Sequence, residues 1–75
     1  MADETVMDAS GLLCPLPVLR ARKAMQKLAS GDVLTLIATD PGAVRDVYAL
    51  CEATGHRLLE RSEGEGRFVF RIEKK

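Results

Sequence analysis

The run Asp8-Ala-Ser-Gly-Leu-Leu-Cys-Pro-Leu-Pro17 constrains this chain more than any other part of it. Pro15 suits the first position of a helix, where an N–H would have no intrahelical partner and φ is already near the helical value. Cys14 then falls at or beside the N-cap, where an extended segment gives way to the helix. A thiol there faces the positive end of the helix dipole and unpaired N–H groups, which predicts a lowered thiol pKa. Pro17 removes a further first-turn donor, and the residue before a proline resists α geometry. A helix start nearer Pro17, around a stiff turn with few donors, therefore stays open.

The spacing also excludes a chemistry. A thioredoxin-like Cys-x-x-Cys needs a second cysteine where this chain has Pro17. A nucleophilic sulfur with no neighbour to close on is suited to holding a cargo, such as a second sulfur atom, until a partner collects it. Free cysteine is most often an inert small hydrophobe, but Gly11, Pro15 and Pro17 argue for a rigid exposed turn at Cys14.

Seventy-five residues are near the lower size for a chain that folds alone, so the reading is one domain over residues 1–75 with an ordered core at about 4–73. No charged-then-apolar leader opens the sequence and no long apolar run interrupts it, which predicts a cytoplasmic protein with no membrane partner. Eleven basic and eleven acidic residues cancel, leaving no global field for a polyanion. With one tyrosine, two phenylalanines and no tryptophan, sequence-specific nucleic-acid binding is not expected. Two cysteines and one histidine cannot close a four-ligand zinc site, and both cysteines read as thiols in a reducing compartment. A monomer with no metal and no cofactor is expected.

Beyond Met1 to Asp3, an untethered terminus, Glu4 to Ala9 reads as a strand ending at the Ser10-Gly11 turn. From Pro15 to Ala29, Val18, Ala21, Met25 and Leu28 recur at helical spacing and face a core, with Gly31 as the stop. Arg20, Lys23 and Lys27 line an exposed ridge, and Leu16 and Leu19 point toward it. This suggests a docking patch with a basic border, although single exposed leucines and a solvated Lys/Arg row are also ordinary. Val33 to Thr39 is the strongest strand. Asp40 and Pro41 repeat the first turn as N-cap and first helical residue and open a helix to about Thr54, with Val44, Val47, Tyr48 and a buried, inert Cys51 as its core stripe and Gly55 as its end. His56 to Ser62 is a weaker strand, with His56 as surface decoration. Glu63 to Gly66 reads as a hairpin loop, and Arg67 to Glu73 alternates with Phe68, Phe70 and Ile72 facing in.

The order β-α-β-α-β-β predicts an α/β (α+β) two-layer sandwich, with both helices on one face of a four-stranded mixed sheet. If the first two strands form a right-handed parallel unit, both strand-to-helix turns leave one sheet edge and bring Cys14 near Asp40. Asp40 then either caps its helix or steers protons and positions a partner. Direct contact of Asp40 with the sulfur is not expected, because an aspartate very close to it opposes thiolate formation.

Asp8, Gly11, Cys14, Pro15 and Pro17, followed by Asp40-Pro41 and Arg45-Asp46, resemble the TusA/SirA-like sulfur-carrier family over about Val6 to Ile72. The resemblance implies that Cys14 accepts a persulfide sulfur from a cysteine desulfurase or rhodanese and passes it to a relay protein. In one branch the relay ends in thiolation of the tRNA wobble uridine; other branches look linked to sulfur oxidation, thiosulfate use or molybdenum-cofactor supply. It further implies partner contacts at Asp40, Leu19 and Arg22. Leu16 departs from a charged residue common inside the motif of the tRNA-thiolation members, and Gln26 and Ala53 replace basic and bulky residues.

Two other classes compete with a sulfurtransferase that carries a transient persulfide on Cys14. One is a thiol redox protein using Cys14 with Cys51. The other is a non-catalytic module that binds RNA or protein through the basic ridge.

Overall fold

The computed structural model describes residues 4–75; the expectation for Met1 to Asp3 lies outside them. The elements run β1 (Glu4–Ala9), α1 (Leu16–Met25), β2 (Val33–Ala38), α2 (Gly42–Thr54), β3 (Arg57–Gly64) and β4 (Arg67–Glu73). The sheet has four strands in the order β1-β2-β4-β3. β1 pairs with β2 in parallel, and the other two pairings are antiparallel. This is the two-layer α/β sandwich expected from the order of elements.

The period-two pattern of β2 and β4 builds the core. Leu34, Leu36 and Ala38 alternate toward the helices and lie beside Ile72, Phe70 and Phe68 of β4. Ala9, Ala21, Met25, Ala43 and Val47 close on them from β1 and both helices. Burying each large side chain in this set contributes about 1.5–3 kcal/mol, which a chain this short needs. The opposite sheet face carries a polar clip, in which Arg71 reaches Glu4 of β1 and Glu60 of β3.

Several element ends and core positions differ from the sequence reading. α1 begins at Leu16 after a cis Cys14–Pro15 bond, so Pro15 is the N-cap and not the first helical residue. It ends at Met25 and not Ala29. Lys27 and Leu28 bond three residues back, to Ala24 and Met25, a tightened turn that closes the helix early, and Lys74 Nζ donates to the Met25 carbonyl. With Leu16 as its start, α1 buries Pro17, Ala21 and Met25, while Val18 and Leu28 are half-buried at the border of the core.

In α2 the buried stripe is Ala43, Val47 and Leu50. Tyr48, expected in the core, is 49% exposed, and its hydroxyl lies 3.5 Å from Arg61 Nη1. One residue along from Val47 turns a side chain by about 100°, and an amphipathic ring is stable at that border. Cys51 is half-buried and not sealed; burial still pushes its thiol up. Gly55 closes α2 in the left-handed conformation, as expected of glycine there.

β3 runs two residues further than Ser62, because Gly64 pairs with Arg67. Only Glu65 and Gly66 remain as the hairpin loop, both at positive φ, the two-residue turn whose twist matches the strands. β2 stops one residue short of Thr39. His56 is half-buried and not decoration: its Nδ1 accepts from Lys75 N at 3.0 Å.

Candidate functional site

Two loops meet where β1 and β2, running in parallel, deliver the chain to α1 and α2. Gly11, in the left-handed region that favours glycine, turns the backbone after β1 so that its N–H donates to Thr39 Oγ1, just past β2, at 2.8 Å. Three residues on, the Cys14 N–H donates to Asp40 Oδ2 at 2.5 Å. The other oxygen of Asp40 accepts from Gly42 N at 3.0 Å. One carboxylate thus starts α2 and holds the thiol-bearing loop, and these two bonds keep its pKa below the usual carboxylate range. Asp40 caps from one place earlier than expected, because Pro41 is the N-cap of α2. Asp8 acts locally, with Oδ1 accepting from Ser10 N at 2.9 Å; the Ser10 side chain, and then this backbone bond, lower its pKa.

Cys14 is exposed, but its thiol is not poised as the helix-dipole argument predicts. Pro15 and Pro17 bring no N–H, and Leu16 N is already bonded to the Leu13 carbonyl at 2.8 Å. The head of α1 therefore offers the sulfur little. The thiol turns instead to α2, where Sγ–H donates to Asp46 Oδ2. That bond, then desolvation, then the charges of Asp46 and Asp40 push the Cys14 thiol above its ordinary value, against a downward pull from Arg45. The expected lowering is overturned: the aspartate that meets Sγ is Asp46, while Asp40 bonds the Cys14 N–H.

Gly42 explains how the sulfur comes so near α2. A Cβ built at that position would lie 3.0 Å from Cys14 Cβ and 3.3 Å from Sγ, so the missing side chain is what lets the loop pack. Neither Gly42 nor Asp46 has a role in the sequence reading. The pair Arg45-Asp46 was visible only within the family resemblance, and Gly42 follows a proline in a turn where glycine carries no distinctive signal.

Pro41, Gly42, Val44, Arg45 and Asp46 line a depression around Cys14. Beside it, between the helices, Pro15, Val18, Leu19 and Arg22 face Asp46, Ala49 and Ala53 across a shallow apolar groove. Leu16 and Leu19 are 46% and 53% exposed. Arg20, Lys23 and Lys27 line a separate depression with Met7. The structure thus divides the candidate partner-binding residues: Leu19 and Arg22 share a groove with Pro15 and Asp46, whereas Arg20 and Lys23 line the depression with Met7. Among the described residues, no group of three His, Cys, Asp or Glu side chains is placed to hold a metal, and no helix is long and apolar enough to cross a membrane.

Fold and site together define a small α/β domain that presents one exposed thiol at the meeting of two strand-to-helix turns. The family model described as Sulfurtransferase TusA matches residues 5–74. A sulfur carrier protein TusA of Allochromatium vinosum is 52% identical over 75 residues, 99% of each chain. A putative sulfur carrier protein of Neisseria meningitidis serogroup A is 51% identical over the whole of both chains. A SirA-like protein of Desulfitobacterium hafniense, known from its crystal structure, has the same fold, with a TM-score of 0.83 at 30% identity over 92% of this chain and 95% of that one. The chain belongs to the TusA sulfurtransferase family, and it is a sulfur carrier.

Proposed function

We propose that Cys14 takes a persulfide sulfur from a donor of the cysteine desulfurase or rhodanese type and passes it to a thiol of a relay protein, for tRNA thiolation or another branch of sulfur metabolism. The observation that carries this reading is an exposed thiol with no second thiol in reach. Cys51 lies nine residues beyond Gly42 on α2, about 13 Å along the axis at 1.5 Å per residue, and Cys14 packs on Gly42. A bond between cysteines that far apart requires backbone movement, which weighs against the redox reading that pairs them. The cargo is the only group the reaction adds to the protein.

In this reading Asp8, Gly11, Pro15, Pro17 and Asp40 hold the loop. Leu16, Leu19, Arg20, Arg22 and Lys23 meet the partners, with Leu19 and Arg22 in the groove that Pro15 and Asp46 also line. The test is an intact-mass measurement after incubation with a cysteine desulfurase and cysteine, or with a rhodanese and thiosulfate. Gain of one sulfur atom on the wild-type chain and none on Cys14→Ser supports the proposal; no gain with either donor overturns it.

A further inference from the structure

The Cys14 Sγ–H donates to the Asp46 carboxylate, a contact between side chains 32 residues apart that the carrier reading does not require. Gly42 makes it possible by leaving room for the thiol against α2. The charged groups facing the sulfur are Asp40 from the turn after β2 and Arg45 and Asp46 from α2. Arg22 of α1 lines the groove into which Asp46 also faces. A carboxylate is a poor proton acceptor from a thiol, since its ordinary pKa lies about 4.6 units below that of cysteine. As a hydrogen-bond acceptor, however, it stabilises the S–H form and repels a thiolate.

We propose that Asp46 sets the protonation state of the carrier's sulfur: it keeps the unloaded Cys14 as a neutral thiol, and this S–H bond must open before Cys14 attacks a donor persulfide. The proposal rests on the carrier reading for its second half. The transfer itself is Cys14–SH + R–S–SH → Cys14–S–SH + R–SH. The Cys14 sulfur, having lost its proton, attacks the outer sulfur of the donor persulfide. A new S–S bond forms, the donor's S–S bond breaks with its electron pair on the departing R–S⁻, and that thiolate takes up a proton. No outside oxidant or reductant is consumed. The free carrier is thereby kept quiet toward small electrophiles until a docked donor disturbs the pair.

The test compares wild type with Asp46→Asn, which removes the charge and keeps the shape. Iodoacetamide alkylation of Cys14 is followed by mass across pH 6–10, and transfer from glutathione persulfide is measured at pH 7. In the variant the alkylation profile moves to lower pH. Its rate at pH 7 rises about threefold for each tenfold gain in thiolate, because a less basic sulfur is also a weaker nucleophile. Glutathione persulfide, itself an anion, loads the variant faster than wild type by a similar factor. Cys51 reports on folding in the same spectra: it stays slow to react while the fold is intact. If the Asn variant exposes Cys51, Asp46→Ser is read by the same profile. An alkylation profile that superposes on wild type, or moves to higher pH, overturns the proposal. Absence of loading in both chains sinks the carrier reading instead, and the alkylation profile still decides the role of Asp46.

Discussion

Asp40 and Cys14, 26 residues apart, are joined by a hydrogen bond from the Cys14 N–H to a carboxylate oxygen, and the same carboxylate holds Gly42 N with its other oxygen. The loop that carries the sulfur is therefore tethered through its backbone to the start of α2. Its position does not depend on α1 alone.

The first prediction concerns that tether. Asp40→Ala removes both acceptors, and the freed amides exchange with solvent. Hydrogen exchange at Cys14 and Gly42 becomes faster while exchange in β2 and β4 stays slow. Sulfur loading falls by about tenfold or more, the scale expected when a reacting atom is displaced by a fraction of an ångström. Unchanged exchange at Cys14 would show that the bond does not hold the loop.

Gly42→Ala sets two effects against each other. Alanine favours a helix over glycine by up to about 1 kcal/mol, but its Cβ would meet Cys14 Cβ at 3.0 Å. The fold keeps its stability within about 1 kcal/mol, because the exposed Cys14 loop can shift outward. Loading slows because the sulfur has moved. Denaturant unfolding and a loading assay on the same sample separate the two effects.

Leu19→Ala and Arg22→Ala act at the groove beside the thiol and leave its chemistry alone. Each slows transfer from a protein donor by about tenfold, the usual scale for an interface anchor. Iodoacetamide and glutathione persulfide continue to react at the wild-type rate. A parallel fall with the small reagents would place these residues in the chemistry and not in docking.

Phe70 of β4 is fully buried in the core beneath the helices. Phe70→Ala costs about 3–5 kcal/mol, a large part of the 5–15 kcal/mol that typically holds a domain together. The variant's urea midpoint drops sharply, and much of its population is unfolded at 37 °C.

Stability also has a predicted pH range. Cys14 and Cys51 have raised pKa values in the fold. Above about pH 8.5 the unfolded chain therefore releases protons that the fold retains, and stability falls as pH rises. The His56 pKa is lowered by burial and by the charges of Lys74 and Lys75. Below about pH 6.5 the unfolded chain binds a proton that the fold resists, and stability falls as pH drops. Asp8 and Asp40, lowered by hydrogen bonds, contribute stability that is lost at still lower pH, as each is protonated in the fold. Urea midpoints are thus flat between about pH 6.5 and 8.5. His56→Gln removes the slope just below 6.5, and Cys14→Ser weakens the alkaline one.

The strands, the helices and their order were legible because each rests on a local pattern. Alternation in β4 points Phe68, Phe70 and Ile72 inward, and a proline after Cys14 and after Asp40 marks each turn into a helix. The family was legible in the same way, since Asp8, Gly11, Cys14, Pro15 and Pro17 all lie within ten residues. The placing of Cys14 beside Asp40 required one further step, the parallel pairing of β1 and β2.

The state of the thiol was decided by the tertiary structure. From the chain alone Cys14 faces the head of its own helix and should ionise easily. In the fold Leu16 N is bonded to Leu13, Gly42 leaves room on the other side, and the S–H turns to Asp46 of the other helix. Local sequence specifies which backbone groups a turn offers. Which side chain from a distant helix arrives within bonding distance depends on how α1 and α2 pack on the sheet, and at Cys14 that arrival reversed the sign of the electrostatics.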